Sequence, residues 1–123
     1  MATRDNEQQV RIARKAVIDA DRAIVPLPCA VEFVWVLEAV YGFSPVEIAQ
    51  AVRLLFDMPN LEIDAASVTV GLELLESGGD FADGVIAAAG AAMGGDTFVS
   101  FDRKAVSRLQ SMGIPAQLAS SVA

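Results

Sequence analysis

The sequence has 123 residues, 54% of them apolar and 20% charged, which is enough for one packed domain and too apolar for a disordered chain. Its net charge of −7 opposes a phosphate backbone and excludes unaided electrostatic coating of DNA or RNA, so nucleic-acid chemistry here requires a metal ion or a local basic patch. Histidine is absent, which removes Ser-His-Asp and Cys-His catalysis and every histidine metal site and leaves carboxylate chemistry.

Residues 6–20 carry Val10, Ala13, Val17 and Ile18 at helical spacing, with Arg11, Arg14, Lys15 and Asp19 largely opposite them, and so predict an amphipathic surface helix. The charges mixed through this stretch exclude a secretory signal, and the single cysteine, Cys29, excludes an internal disulfide. A reducing, cytoplasmic setting is expected, with Cys29 as a small buried residue. Residues 22–27 form a short β-rich run ended by Pro26 and Pro28, after which residues 29–41 have helical length and almost no polar face; the expectation is strand, turn, buried helix. Ser44-Pro45 followed by Glu47 predicts a helix capped by Ser44 and running to about Phe56, before Pro59-Asn60. A fourth helix is predicted over residues 64–76. Gly78-Gly79 then sets Asp80 as N-cap of a helix that stays uncharged from Gly84 to Met93.

Residues 97–101 read as a strand, Asp102 as the cap of a short final helix, and residues 114–118 as an edge strand. Helices alternating with short apolar strands imply α/β architecture: one domain with a small parallel sheet of three strands, buried on both faces. Residues 25–41 contain two prolines and two glutamates, and residues 84–95 are too short to span, so no membrane segment is expected.

Three carboxylates stand near strand ends or helix starts. Glu32 has Trp35, Val36 and Ala39 as same-face neighbours and no local basic partner, so it either neutralises the start of its own helix or serves a site. Asp83 either reaches back in a capping-box arrangement with Asp80 or points to the mouth of the sheet; Asp102 either caps its helix or contributes to the same place. All three fall at the carboxyl edge of the strands, where open α/β sheets bind ligands. Two carboxylates about 4 Å apart repel by roughly 4 kcal/mol at an effective dielectric near 20, so convergence calls for a cation, and all-oxygen donors select Mg²⁺ or Mn²⁺. Asp96 reads as a turn residue, and Glu38, Glu47, Glu62 and Asp64 as helix-surface or capping charges. Basic residues are scattered along the chain and no aromatic-rich RNA platform stands out.

The segments V-E-F-V-W-V-L at 31–37, G-G-D-F-A-D at 78–83 and D-T-F-V-S-F-D-R at 96–103 resemble, in order and spacing, the conserved blocks of VapC-type PIN domains. The resemblance covers nearly all of the chain. It implies a PIN-like three-layer α/β/α fold and a toxin endoribonuclease in which an acidic quartet holds Mg²⁺ or Mn²⁺. Glu32, Asp83 and Asp102 match its second, third and fourth members, and Ser100 stands where a threonine is usual, on the strand face shared with Asp102. It also implies RNA as substrate, a homodimer, and a small antitoxin protein inserting arginine into the acidic groove.

The family opens with a strand ending D-x-N, whose aspartate is the first metal ligand, and nothing here matches it. No apolar strand precedes Asp5-Asn6, and A-T-R-D-N-E-Q-Q is similar to the segment that comes after that strand and its turn in the family. The first central strand is therefore expected to be missing, a natural start upstream of Met1 is favoured, and residues 1–123 alone are expected to cleave RNA weakly or not at all. The alternative function is a non-catalytic PIN-like module that dimerises or binds an antitoxin.

Overall fold

The structure, a computed structural model, describes residues 4–121, without the side chains of residues 4–7, 9, 10, 13 and 121. The side chains of Asp5, Asn6, Val10 and Ala13 thus lie outside the described residues. The fold is mixed α/β, mostly helical, with two small parallel sheets. The chain divides into two compact units, Met1–Asp64 and Ala65–Ala123.

In the first unit α1 (Arg4–Asp19) leads to β1 (Ala23–Val25), α2 (Leu27–Ala39), α3 (Pro45–Phe56) and β2 (Leu61–Ile63). Arg11, Arg14 and Lys15 are exposed as the charge pattern requires, but Ile18, expected on the apolar face, is also exposed, at 57%. The expected turn at Pro28 is absent, because α2 begins at Leu27 with Pro26 as its N-cap. A proline in the first turn lacks only an N–H that has no helical acceptor, so Pro28 starts the helix instead of delaying it. Nor is α2 buried all round: Ala30, Val34 and Leu37 form one buried stripe, while Phe33 and Trp35 are exposed. Cys29 is exposed as well, which corrects the expectation of a buried thiol.

The start of α3 follows the pattern S-P-V-E. Ser44 Oγ accepts from the Glu47 N–H and the Glu47 carboxylate accepts from the Ser44 N–H, a complete capping box. The Ser44 backbone N–H and then the Ser44 side chain hold the Glu47 pKa below its ordinary value.

The strand β2 is not foreseen from the residue pattern, which predicts three strands where the described residues contain four. It pairs in parallel with β1, Ala23 opposite Leu61 and Val25 opposite Ile63. Glu62 is therefore a strand residue and not a helix-surface charge. It accepts two hydrogen bonds from the Arg22 guanidinium, at 2.9 and 2.7 Å, which lower the Glu62 pKa and raise that of Arg22. Just before β2, the Asn60 amide donates to the carbonyls of Val17 and Ala20, satisfying two acceptors that the end of α1 leaves open.

The second unit contains α4 (Ala65–Glu76), α5 (Phe81–Ala92), β3 (Phe98–Ser100), α6 (Arg103–Ser111), β4 (Ala116–Leu118) and a 3₁₀ turn at Ala119–Ser121. Here β3 and β4 are parallel neighbours joined through α6. Leu74, Ala87, Val106, Leu109 and Ala116 form one buried cluster, with Phe98, Met112, Ile114 and Leu118 packed against it. The crossing of α4 and α5 is close because Gly71 faces Gly84: a Cβ built on Gly84 would lie 2.7 Å from the Gly71 Cα. Gly78, at φ +97°, turns the chain out of α4 and presents Asp80 to the start of α5.

Among the described residues no helix is long and apolar enough to cross a membrane.

Candidate acidic site

The second unit brings together two of the three carboxylates singled out in the sequence. Asp80 caps α5, its Oδ1 accepting from the Ala82 N–H at 2.9 Å. Asp83, three residues on, does not reach back to complete a capping box; among the described residues nothing hydrogen-bonds to its carboxylate. It is half-buried in the first turn of α5. Burial raises its pKa, and the negative charges of Asp80 and then Asp102 raise it further. Asp83 and Asp102 are thus near enough to repel, although they belong to different helices.

Asp102 is exposed and acts as a cap: its Oδ1 accepts from the Lys104 N–H at 2.9 Å and the Ala105 N–H at 3.2 Å. Both bonds fall on one oxygen, so the other remains available to a cation. Ser100, at the end of β3, accepts from the Asp102 N–H at 3.1 Å. Its hydroxyl therefore meets the backbone of Asp102, tying strand end to helix start, and keeps its own proton to donate. Asp96 sits before β3 and accepts from the Thr97 hydroxyl, in keeping with a turn residue.

Glu32 lies in the first unit. It is exposed, and because α2 begins at Leu27 it sits beyond the first helical turn. Both premises of its expected role are corrected: there is no buried lone carboxylate to explain, and the positive end of the helix, which acts over about one turn, is not what it neutralises.

Among the described residues no three His, Cys, Asp or Glu side chains are grouped as a ready-made metal site. The Asp83–Asp102 pair nevertheless offers hard oxygen donors, and a hard cation such as Mg²⁺ keeps several waters when one or two carboxylates hold it. The raised pKa of Asp83 is the electrostatic condition that a cation relieves.

That pKa makes stability depend on pH with a definite sign. Folded Asp83 holds its proton to higher pH than unfolded Asp83, so its ionisation costs stability as pH rises from the ordinary aspartate range through the raised value. Asp83→Asn is expected to raise the unfolding midpoint at neutral pH in metal-free buffer, with the gain vanishing below the ordinary aspartate range. Melting curves of both proteins across pH check this; a gain that persists in acid would assign it to something other than charge.

No family model, no curated protein and no solved structure matches the chain.

Proposed function

We propose that the protein is a PIN-like, VapC-type endoribonuclease that cleaves RNA phosphodiesters with Mg²⁺ or Mn²⁺. What supports this is the Asp83–Asp102 pair: two acidic side chains at the starts of α5 and α6, mutually repelling, with Asp83 half-buried and unbonded among the described residues. They stand where the motif resemblance puts the third and fourth members of the acidic set. The metal ion, when bound, would stabilise charge in the in-line attack on phosphorus. Asp83 and the free oxygen of Asp102 would hold it, while the Lys104 and Ala105 N–H groups fix the Asp102 carboxylate and Ser100 fixes its backbone. The resemblance alone gives Glu32 its place in the set, and the same reading carries a homodimer and a small antitoxin as partners.

Binding of Mn²⁺, followed by calorimetry, separates metal affinity from turnover. Asp83→Asn should weaken it by about tenfold or more, since loss of even an outer partner of a metal ligand costs about 10–100-fold. Asp102→Asn should behave alike without losing the helix, because asparagine caps as well as aspartate. Glu32→Gln tests the second member of the set separately. A preparation that supplies a D-x-N aspartate should cleave single-stranded RNA in Mg²⁺ and stop in EDTA. Wild-type affinity for Mn²⁺ in Asp83→Asn would overturn the assignment, and metal binding and partner binding without cleavage would favour the non-catalytic module.

A further inference from the structure

The charges of the second unit are segregated. Its acidic residues, Glu73, Glu76, Asp80, Asp83, Asp96 and Asp102, are spread from α4 to the start of α6, whereas its only three cations, Arg103, Lys104 and Arg108, all lie in the nine-residue helix α6. Among the described residues none of these three is in an ion pair. Arg103 and Lys104 are exposed in the first turn, where cations oppose the helix dipole, and the first N–H groups are already taken by Asp102. Local helix energetics therefore do not account for basic residues at this end.

Next to them is a groove of about 340 Å³ between α6 and β4, walled by Arg103, Val106, Ser107, Gln110, Gln117 and Leu118. Arg103 and Ser107 are one helical turn apart on the same wall, with Gln117 opposite on β4. The Ser107 hydroxyl and the Gln117 amide make no side-chain hydrogen bond among the described residues, so both donors line the groove with Arg103, while Lys104 is the next residue in the same helical turn. We infer that this groove binds the phosphodiester backbone of a single-stranded nucleic acid, Arg103 and Lys104 supplying charge and Ser107 and Gln117 neutral donors. The inference rests on the proposed ribonuclease function and names where the strand lies beside the acidic pair. It also answers the net charge of −7: the strand meets a local basic face and not the average surface.

The test is fluorescence anisotropy with a labelled mixed-sequence single-stranded 12-mer in EDTA, so that neither metal binding nor cleavage contributes. Arg103→Gln/Lys104→Gln should weaken binding about tenfold and flatten the slope of log K against log[salt] by about 1.4, as loss of two phosphate contacts on a single strand implies. Circular dichroism confirms that the helix persists, and Ser107→Ala with Gln117→Ala removes the neutral donors without touching charge, costing affinity at unchanged slope. Equal binding of RNA and DNA supports backbone recognition, and preference for RNA supports it with reading of the 2′-hydroxyl. Unchanged affinity in the double variant overturns the inference. So does an equal loss in Arg11→Gln/Arg14→Gln on α1, displacement by millimolar inorganic phosphate, or equally tight binding of polyglutamate. Strand binding without metal-dependent cleavage in a preparation that supplies a D-x-N aspartate would leave the groove standing and remove the ribonuclease reading; cleavage by that preparation, unaffected by the double variant, would do the reverse.

Discussion

Leu109→Ala is expected to cost about 2–5 kcal/mol of unfolding free energy, toward the upper end of that range. Leu109 is fully buried at the centre of the second unit, in a cluster with Leu74, Ala87, Val106 and Ala116 that joins α4, α5, α6 and β4. Truncation removes the transfer energy of the lost carbons and leaves a void. Two of its core neighbours, Ala87 and Ala116, have no side chain to extend into that void, so the surroundings relax little. Urea denaturation followed by far-UV circular dichroism measures the loss. Leu109→Met, which conserves volume, should cost less than about 1.5 kcal/mol. A loss under about 1 kcal/mol for the alanine variant, below the range for a buried leucine, would mean that α6 is not packed on this core.

Gly84→Ala should destabilise by about 1–3 kcal/mol through overpacking, even though alanine is the better helix former by about 1 kcal/mol. The new Cβ would meet the Gly71 Cα at 2.7 Å and the Val70 carbonyl oxygen at 2.9 Å. Both are backbone atoms and cannot turn aside as a side chain can, so α4 and α5 would have to separate along their contact. Gly90→Ala, in the same helix, is the internal control. Nothing lies within 4 Å of its added Cβ, so only the backbone term acts and the protein should gain about 0.5–1 kcal/mol. Opposite signs for the two substitutions in one denaturation series are the expected result. Two equal gains would show that the helices do not approach closely at Gly84.

The helix starts are the part of the candidate site most legible in the sequence. Asp80 and Asp102 each cap the helix after them, and Ser44 with Glu47 closes a capping box, as their spacing implies. A cap is made within about three residues, so the sequence contains both partners. The same local rule fails at Asp83. Its position three residues after a cap allows it to reach back, yet it makes no such bond, and its pKa is raised by burial, then by the charge of Asp80 at its own helix cap and last by that of Asp102 on another helix. Glu32 shows the converse: the helix end expected for it depends on Pro28 acting as a break, and the chain starts the helix before that proline.

By itself, then, the sequence determined six helices, the capping residues of α3, α5 and α6, the absence of histidine and a mixed α/β fold, because helical periodicity and capping are set by neighbours within a turn or two. Only the tertiary structure decided that L-E-I is a strand, since three residues carry little period and β2 exists through its pairing with β1 and through an Arg22–Glu62 bridge between residues 40 apart in sequence. It likewise decided that Cys29 and Trp35 are exposed, that Asp102 acts on Asp83, and that Arg103 and Lys104 of α6 stand in solvent with no ion pair among the described residues. Burial and Coulomb interaction depend on distance through space, and the linear order of residues does not encode that distance locally.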